Sequence, residues 1–186
     1  MTTASWLKRL KACPTMAWDA PLSRCVNKSA YENGKPPNYL FTSGGRNRCN
    51  PKGVSCIYMA EEQETALVEF NKYALKSAPE PFIVYSGHLK AARIADLTDP
   101  KIRDLLGIND DHLFKPFRLR KSPTRLESLG LAISTQRKIA GLRFPSAAAH
   151  EGGGSGNNLV LFEDSLHSPD SLEIHDPHTS KPARWP

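Results

Sequence analysis

The sequence predicts an α+β domain of mixed small β-sheets with a few flanking helices. Three observations carry that expectation. Short runs rich in β-branched and aromatic residues recur along the chain. Helical periodicity is confined to a few segments. Strands and helices do not alternate as they would in a doubly wound fold. At 186 residues the chain is long enough for one domain with its own core. Hydrophobic residues make up 39% and charged residues 24%, both normal for a soluble globular protein.

Taken in order, residues 1–20 read as an N-terminal extension. Trp6, Leu7 and Leu10 share one face of a docking helix there, ringed by Lys8, Arg9 and Lys11. The domain proper is expected over residues 21–176, with a loosely ordered polar tail at 177–186. Leu22–Val26 is a strand, followed by a polar loop through Pro37 and a further strand at Tyr39–Thr42. Ser43 to Gly53 is a turn-forming loop carrying Arg46, Arg48 and Lys52. Val54–Ala60 is a strand. Glu61–Ala74 is the clearest helix, with acidic residues in its first turn and Ala66, Leu67, Phe70 and Ala74 at helical spacing. Phe82–Ser86 and Leu89–Leu97 read as two strands and Asp99–Leu106 as a short helix. Thr124 to about Ile139 is another helix. Leu142–Pro145, Leu159–Phe162 and Ser171–His175 are strands, and Gly152–Gly156 is a loop. No internal repeat is visible.

Several function classes are excluded. No run approaches the roughly 18 apolar residues of a membrane-spanning helix. The opening residues lack the apolar stretch and small-residue cleavage site of a secretory signal, so a cytoplasmic protein is expected. Cys13, Cys25, Cys49 and Cys56 form no C-x-x-C pair and have no zinc-like histidine spacing, so they read as reduced thiols and no metal is implied. Nucleophile elbows and Walker loops are missing as well. The net charge of +6 points to anionic ligands or acidic partners, and eight of the basic residues fall between Lys115 and Arg143. With no zinc finger or RNA-binding aromatic signature, direct nucleic-acid binding is not the favoured explanation.

What remains is a basic glycine-rich loop, a strand and a helix bearing one carboxylate. Arg48, Tyr58 and Glu69 follow one another at intervals of ten and eleven residues. Arginine binds phosphate through a planar fork of donors. Tyrosine supplies an aromatic face and a hydroxyl. A carboxylate beside a sugar stabilises the positive charge that develops at the anomeric carbon when a glycosidic bond breaks. Glu69 lies about 60° from Ala66 on the helix, at the edge of its apolar stripe, where it can face a cleft. The trio suits a ligand with a pyrophosphate, a ribose and a departing aromatic base, which describes NAD⁺. Arg, Tyr and Glu are common residues, and each has an ordinary structural reading as well.

The ordered motifs resemble those of the RES domain, named for arginine, glutamate and serine. Gly44-Gly45-Arg46-Asn47-Arg48-Cys49-Asn50-Pro51-Lys52-Gly53 is similar to its glycine pair followed by R-x-N-P-x-G. Ile57-Tyr58-Met59-Ala60 resembles its tyrosine strand, and Thr65-Ala66-Leu67-Val68-Glu69 its T-A-x-x-E helix. Gly141 to Ala147 is similar to the G-x-x-x-P-S-A strand, and Asn158 to Phe162 to the strand after it. Ser23-Arg24-Cys25-Val26 matches its first, arginine-bearing strand.

The resemblance implies a fold like that of ADP-ribosyltransferases and a toxin of a bacterial toxin–antitoxin pair. Such a toxin degrades NAD⁺ as its substrate, with inorganic phosphate or water as acceptor. It is countered by a helix-turn-helix (Xre-like) antitoxin that plugs the site. By the same resemblance Glu69, Arg48 and Tyr58 are catalytic. Arg48 holds the pyrophosphate, Tyr58 packs on the nicotinamide side and Glu69 stabilises the ribosyl cation. Arg24 binds the adenosine or phosphate side, Ser146 orients the nicotinamide ribose, and Asn158 is a turn residue or an additional donor.

Two residues intervene between the glycine pair and Arg48, so Arg46 competes with Arg48 for the functional role; the R-x-N-P context favours Arg48. Arg24, Arg46, Arg48 and Arg143 together would make the pocket positive. A mono-ADP-ribosyltransferase acting on a protein and a non-catalytic basic interaction module remain as alternatives, as does action inside the cell that makes the chain or in another.

Overall fold

The computed structural model describes residues 3–32, 42, 44–74, 81–120, 123–175 and 182–186. Its elements are α1 (Thr3–Ala12), β1 (Met16–Asn27), α2 (Lys28–Glu32), β2 (Cys56–Ala60), α3 (Gln63–Ala74), β3 (Phe82–Asp96), α4 (Pro100–Leu106), α5 (Asp110–Phe114), α6 (Arg125–Gln136), β4 (Gly141–Pro145), α7 (Ala147–Glu151), β5 (Asn157–Phe162), β6 (Ser171–His175) and β7 (Ala183–Trp185). The class is α+β. The strands expected as small sheets join into one mixed sheet of order β1-β2-β5-β4-β3-β6-β7. A further pairing of β1 with β3 closes the first five strands on themselves. Among the described strands only β3 and β4 run parallel; the other pairings are antiparallel.

Both faces of the central strands are buried, as alternation along β5 shows. Val160 and Phe162 join one core, with Trp6, Leu106, Leu126 and Leu142. Leu159 and Leu161 point the other way, into a second core with Leu22, Ile57, Leu89 and Ile174. Helices α1, α4, α5 and α6 cover the first core. The second is drawn from β1, β2, β3, β5 and β6.

Several sequence expectations change. Gly87-His88 reads as a break between two strands, yet β3 runs straight through it. A Cβ at Gly87 would lie 2.8 Å from Ile174 Cδ1 and 3.1 Å from Met59 Cε, so the glycine serves close sheet packing and not a turn. The helix expected from Glu61 starts at Gln63, because Glu61 is held by Arg143 and Asn157. The helix from Thr124 stops at Gln136, where Arg137 takes a left-handed φ of 55°. In α1, Trp6 and Leu10 are buried but Leu7 is 39% exposed, which narrows the docking face. Strand β1 begins at Met16, ahead of the boundary drawn at Pro21. Ala183–Trp185 pairs with β6 instead of hanging loose, and Trp185 packs on the second core. Of the strand expected at Tyr39–Thr42, all but Thr42 lies outside the described residues.

Helix α6 approaches the glycine-rich loop most closely at Gly130, where a Cβ would sit 1.7 Å from the carbonyl oxygen of Cys49. Gly130→Ala is therefore expected to destabilise the fold by roughly 1–3 kcal/mol. That outweighs the roughly 1 kcal/mol that alanine gains over glycine within a helix. Thermal unfolding checks it: an unchanged or raised midpoint would contradict this packing.

Candidate active site

The glycine-rich loop is a compact hairpin. Gly44 and Gly53 have φ of 70° and 91°, and the Gly53 N–H donates to the Gly44 carbonyl at 2.8 Å. Asn47 and Asn50 form an isolated bridge across it. Between them stands Arg48, buried and with Nη1 donating to the carbonyl oxygens of Leu113 at 2.6 Å and Lys115 at 3.2 Å. Its guanidinium also sits 5.5 Å from the centre of the Phe117 ring.

The loop sends its two arginines in different directions. Arg46 leaves the cavity and grips Glu127, with Nε to Oε1 at 2.5 Å and Nη2 to Oε2 at 3.2 Å. Its Nη2 also donates to the carbonyls of Phe117 and Arg120. Burial opposes the charge on Glu127. The hydrogen bonds from Arg46 and from Thr124 nonetheless hold its pKa below the usual glutamate value.

Glu69 sits on α3, half-buried, and is held from behind. Its Oε1 accepts from Ser146 Oγ at 2.6 Å and from Asn158 Nδ2 at 2.8 Å. Oε2 has no protein partner among the described residues. Ser146 is the N-cap of α7, its Oγ accepting from the Ala149 N–H at 3.1 Å. Asn158 is placed opposite both Ala60 and Phe144 by the β2–β5 and β4–β5 registers. Helix α3 reaches this spot because Thr65 seats against Gly156, where a Cβ would meet Thr65 Oγ1 at 2.2 Å. The Gly156 carbonyl in turn accepts from the Ser146 N–H.

Arg24, on β1, donates from Nη1 to the Tyr58 carbonyl, while its buried Nε finds no partner among the described residues. Burial pulls its pKa below the usual arginine value. The hydroxyl of Tyr58 donates to Asn50 Oδ1 at 2.8 Å and accepts from the Cys49 N–H at 2.9 Å. Burial pushes its pKa well above the ordinary tyrosine value, so the hydroxyl stays protonated. Its ring meets Phe144 edge-on at 6.5 Å.

These groups surround a cavity of about 490 Å³, within the range of small-molecule sites. Arg24, Arg48, Tyr58, Glu69 and Asn158 all line it, and among the described residues Glu69 is the only carboxylate that does. Arg46 and Ser146 do not line it. Arg46 is spent on Glu127, and Ser146, 1% exposed, stands behind Glu69. Arg143 does not make the pocket positive either, being bound to Glu61, Asp96 and Thr98. The cation on the wall that sequence reasoning missed is Arg118, hidden within a basic stretch read only as bulk charge. Asn50 was also missed, since an Asn-Pro pair signals a turn and nothing more. All four cysteines are free thiols; burial pushes Cys49 up to about 12 and Cys56 higher, which leaves both unreactive.

A family model described as the RES domain matches residues 21–183. The chain belongs to the RES domain family. Within the matched span of this RES domain the glycine-rich loop carries Arg48, α3 carries Glu69, the N-cap of α7 is Ser146 and β5 carries Asn158. A chain in the crystal structure of the M. tuberculosis MbcT–MbcA toxin–antitoxin complex has the same fold. It matches with a TM-score of 0.65 and 19% identity, over 92% of this chain and 90% of that one. A search of curated proteins returned no match. Among the described residues, no helix is long and apolar enough to cross a membrane.

Proposed function

We propose that this RES domain is a toxin that cleaves the bond between nicotinamide and ribose in NAD⁺, depleting the cell of the dinucleotide. The observation that carries the reading is the state of Glu69. Two donors pin Oε1, and Oε2 is left on the wall of a cavity whose other polar groups include arginines. A carboxylate fixed in this way needs no reorganisation when positive charge appears in front of it.

In the reaction the C1–N bond of the nicotinamide ribose breaks and its electron pair leaves with nicotinamide, which becomes neutral. The positive charge moves onto the ribosyl carbon and its ring oxygen, facing Glu69. Phosphate or water then bonds to C1; water gives up a proton in doing so. The Nε and Nη2 groups of Arg48, which have no protein partner among the described residues, are donors for the pyrophosphate, and Arg24 adds positive charge to the same cavity wall. Tyr58 gives the nicotinamide side its ring. Support for a toxin's partner comes from the fold shared with a chain of a toxin–antitoxin complex. A cognate helix-turn-helix antitoxin entering this basic cavity would present a carboxylate-bearing segment.

Incubating the purified chain with NAD⁺, with and without inorganic phosphate, tests the proposal. Free nicotinamide is expected in equal amount to ADP-ribose-1″-phosphate or to ADP-ribose, according to the acceptor. Label transferred from NAD⁺ to a protein would make the chain an ADP-ribosyltransferase. Absence of any nicotinamide release would reduce it to a binding module.

A further inference from the structure

Asn50 has no part in the chemistry above, and its side chain does not line the cavity. It is nevertheless fully buried and uses every polar group it has. Nδ2 donates to the carbonyl oxygens of Gly45 and Val54, both at 2.8 Å, and to that of Pro51 at 3.3 Å. Oδ1 accepts the Tyr58 hydroxyl proton at 2.8 Å, and the same hydroxyl oxygen receives the Cys49 N–H at 2.9 Å. Gly45 and Val54 bracket the loop that carries Arg48, and Cys49 is its next residue. Tyr58 belongs to β2, which is paired on both sides, by β1 and by β5. One side of the loop is therefore fastened to the sheet through Asn50, and the other to α6 through Arg46 and Glu127.

We propose that Asn50 is a positioning residue that, through the Tyr58 hydroxyl and the Cys49 amide, fixes Arg48 on the cavity wall. A phenol has a single proton to donate, and here Asn50 takes it. Tyr58 therefore offers an anionic dinucleotide its ring, and its hydroxyl acts on the loop. The role in turnover rests on the function proposed above; the role in holding the loop does not.

The test uses the full chain and four variants: Tyr58→Phe, which deletes one oxygen and keeps the ring; Asn50→Asp, which keeps the acceptor and deletes the donors to Gly45 and Val54; Arg48→Ala; and Arg48→Ala combined with Tyr58→Phe. Hydrogen exchange is read at the amides of Asn47, Cys49 and Gly53. Tyr58→Phe is expected to speed exchange at Cys49 by roughly tenfold, the scale of one lost hydrogen bond. Asn50→Asp should do the same at Gly53. With NAD⁺, Tyr58→Phe should raise KM roughly tenfold and change kcat less than about threefold. Within Arg48→Ala it should add less than about twofold, since its effect passes through Arg48. Unchanged exchange in both Tyr58→Phe and Asn50→Asp overturns the proposal. So does a full, additive loss on the Arg48→Ala background, which would mean that the hydroxyl acts on the ligand directly. If the wild type does not consume NAD⁺, the functional reading fails, while the exchange rates still decide the role of Asn50.

Discussion

Glu69→Gln is expected to release nicotinamide at least roughly 100-fold more slowly than the wild type, the scale for removing a preorganised electrostatic group. Its affinity for NAD⁺ should stay within about twofold. Charge appears on the ribose only as nicotinamide departs, so the carboxylate acts on the transition state and little on the ground state. The geometry makes the substitution a clean one. A glutamine side-chain oxygen can accept from both Ser146 Oγ and Asn158 Nδ2, as Oε1 does now. The amide nitrogen then stands where Oε2 stood, with hydrogens turned toward the site where positive charge would build. The unfolding midpoint should not move by more than a degree or two, because the supporting hydrogen bonds survive. Expression of the wild type alone in bacteria should arrest growth and lower the NAD⁺ pool, and Glu69→Gln should restore both. Near-normal turnover by Glu69→Gln would remove the carboxylate from the mechanism. No other carboxylate among the described residues lines the cavity to replace it. Joint loss of NAD⁺ binding and of stability would instead make Glu69 a structural residue.

The parts of the site that are local in sequence could be read from it. The edge position of Glu69 follows from helical periodicity within α3, and the apolar run Leu159-Val160-Leu161-Phe162 reads as a strand, which the fold buries on both faces. What stayed hidden depends on partners far along the chain. The R-x-N-P context favours Arg48 over Arg46, but the sequence does not show that Glu127, 81 residues away, takes Arg46. Arg143 looks like a pocket cation until Glu61 and Asp96 close around it. Ser146 sits in a recognisable motif, but only the fold shows that its hydroxyl supports Glu69 from outside the cavity. Gly87 shows the opposite failure: glycine carries a strong local turn signal, and here a tertiary contact with Ile174 explains it instead.

Replacing the two loop arginines in turn should produce opposite phenotypes. Arg48→Ala is expected to lower kcat/KM for NAD⁺ by roughly 10–200-fold, since a hydrogen bond to a charged group contributes about 1.5–3 kcal/mol. Most of the loss should fall on KM, and the protein should remain folded. Arg46→Ala should leave the chemistry far less affected and damage the fold. Its removal takes from Glu127, whose side chain is fully buried, the cation that donates to both of its carboxylate oxygens. Removing one partner of a buried ion pair is strongly destabilising. The pH dependence separates this from a simple packing loss. In the wild type the Glu127 pKa is depressed, so its pairing stabilises the fold above the usual glutamate range and is lost as pH falls through the lower folded value. In Arg46→Ala burial acts without its largest counterweight, and the pKa moves up from its wild-type position. The stability gap between variant and wild type should then be widest near neutral pH and narrow on acidification, as Glu127 takes up a proton. Thermal unfolding from pH 7.5 to pH 4 and steady-state kinetics on both variants measure these effects. If Arg46→Ala proves the catalytically crippled variant with its midpoint intact, the functional arginine lies two residues earlier, and the Arg46–Glu127 contact is not what holds this loop.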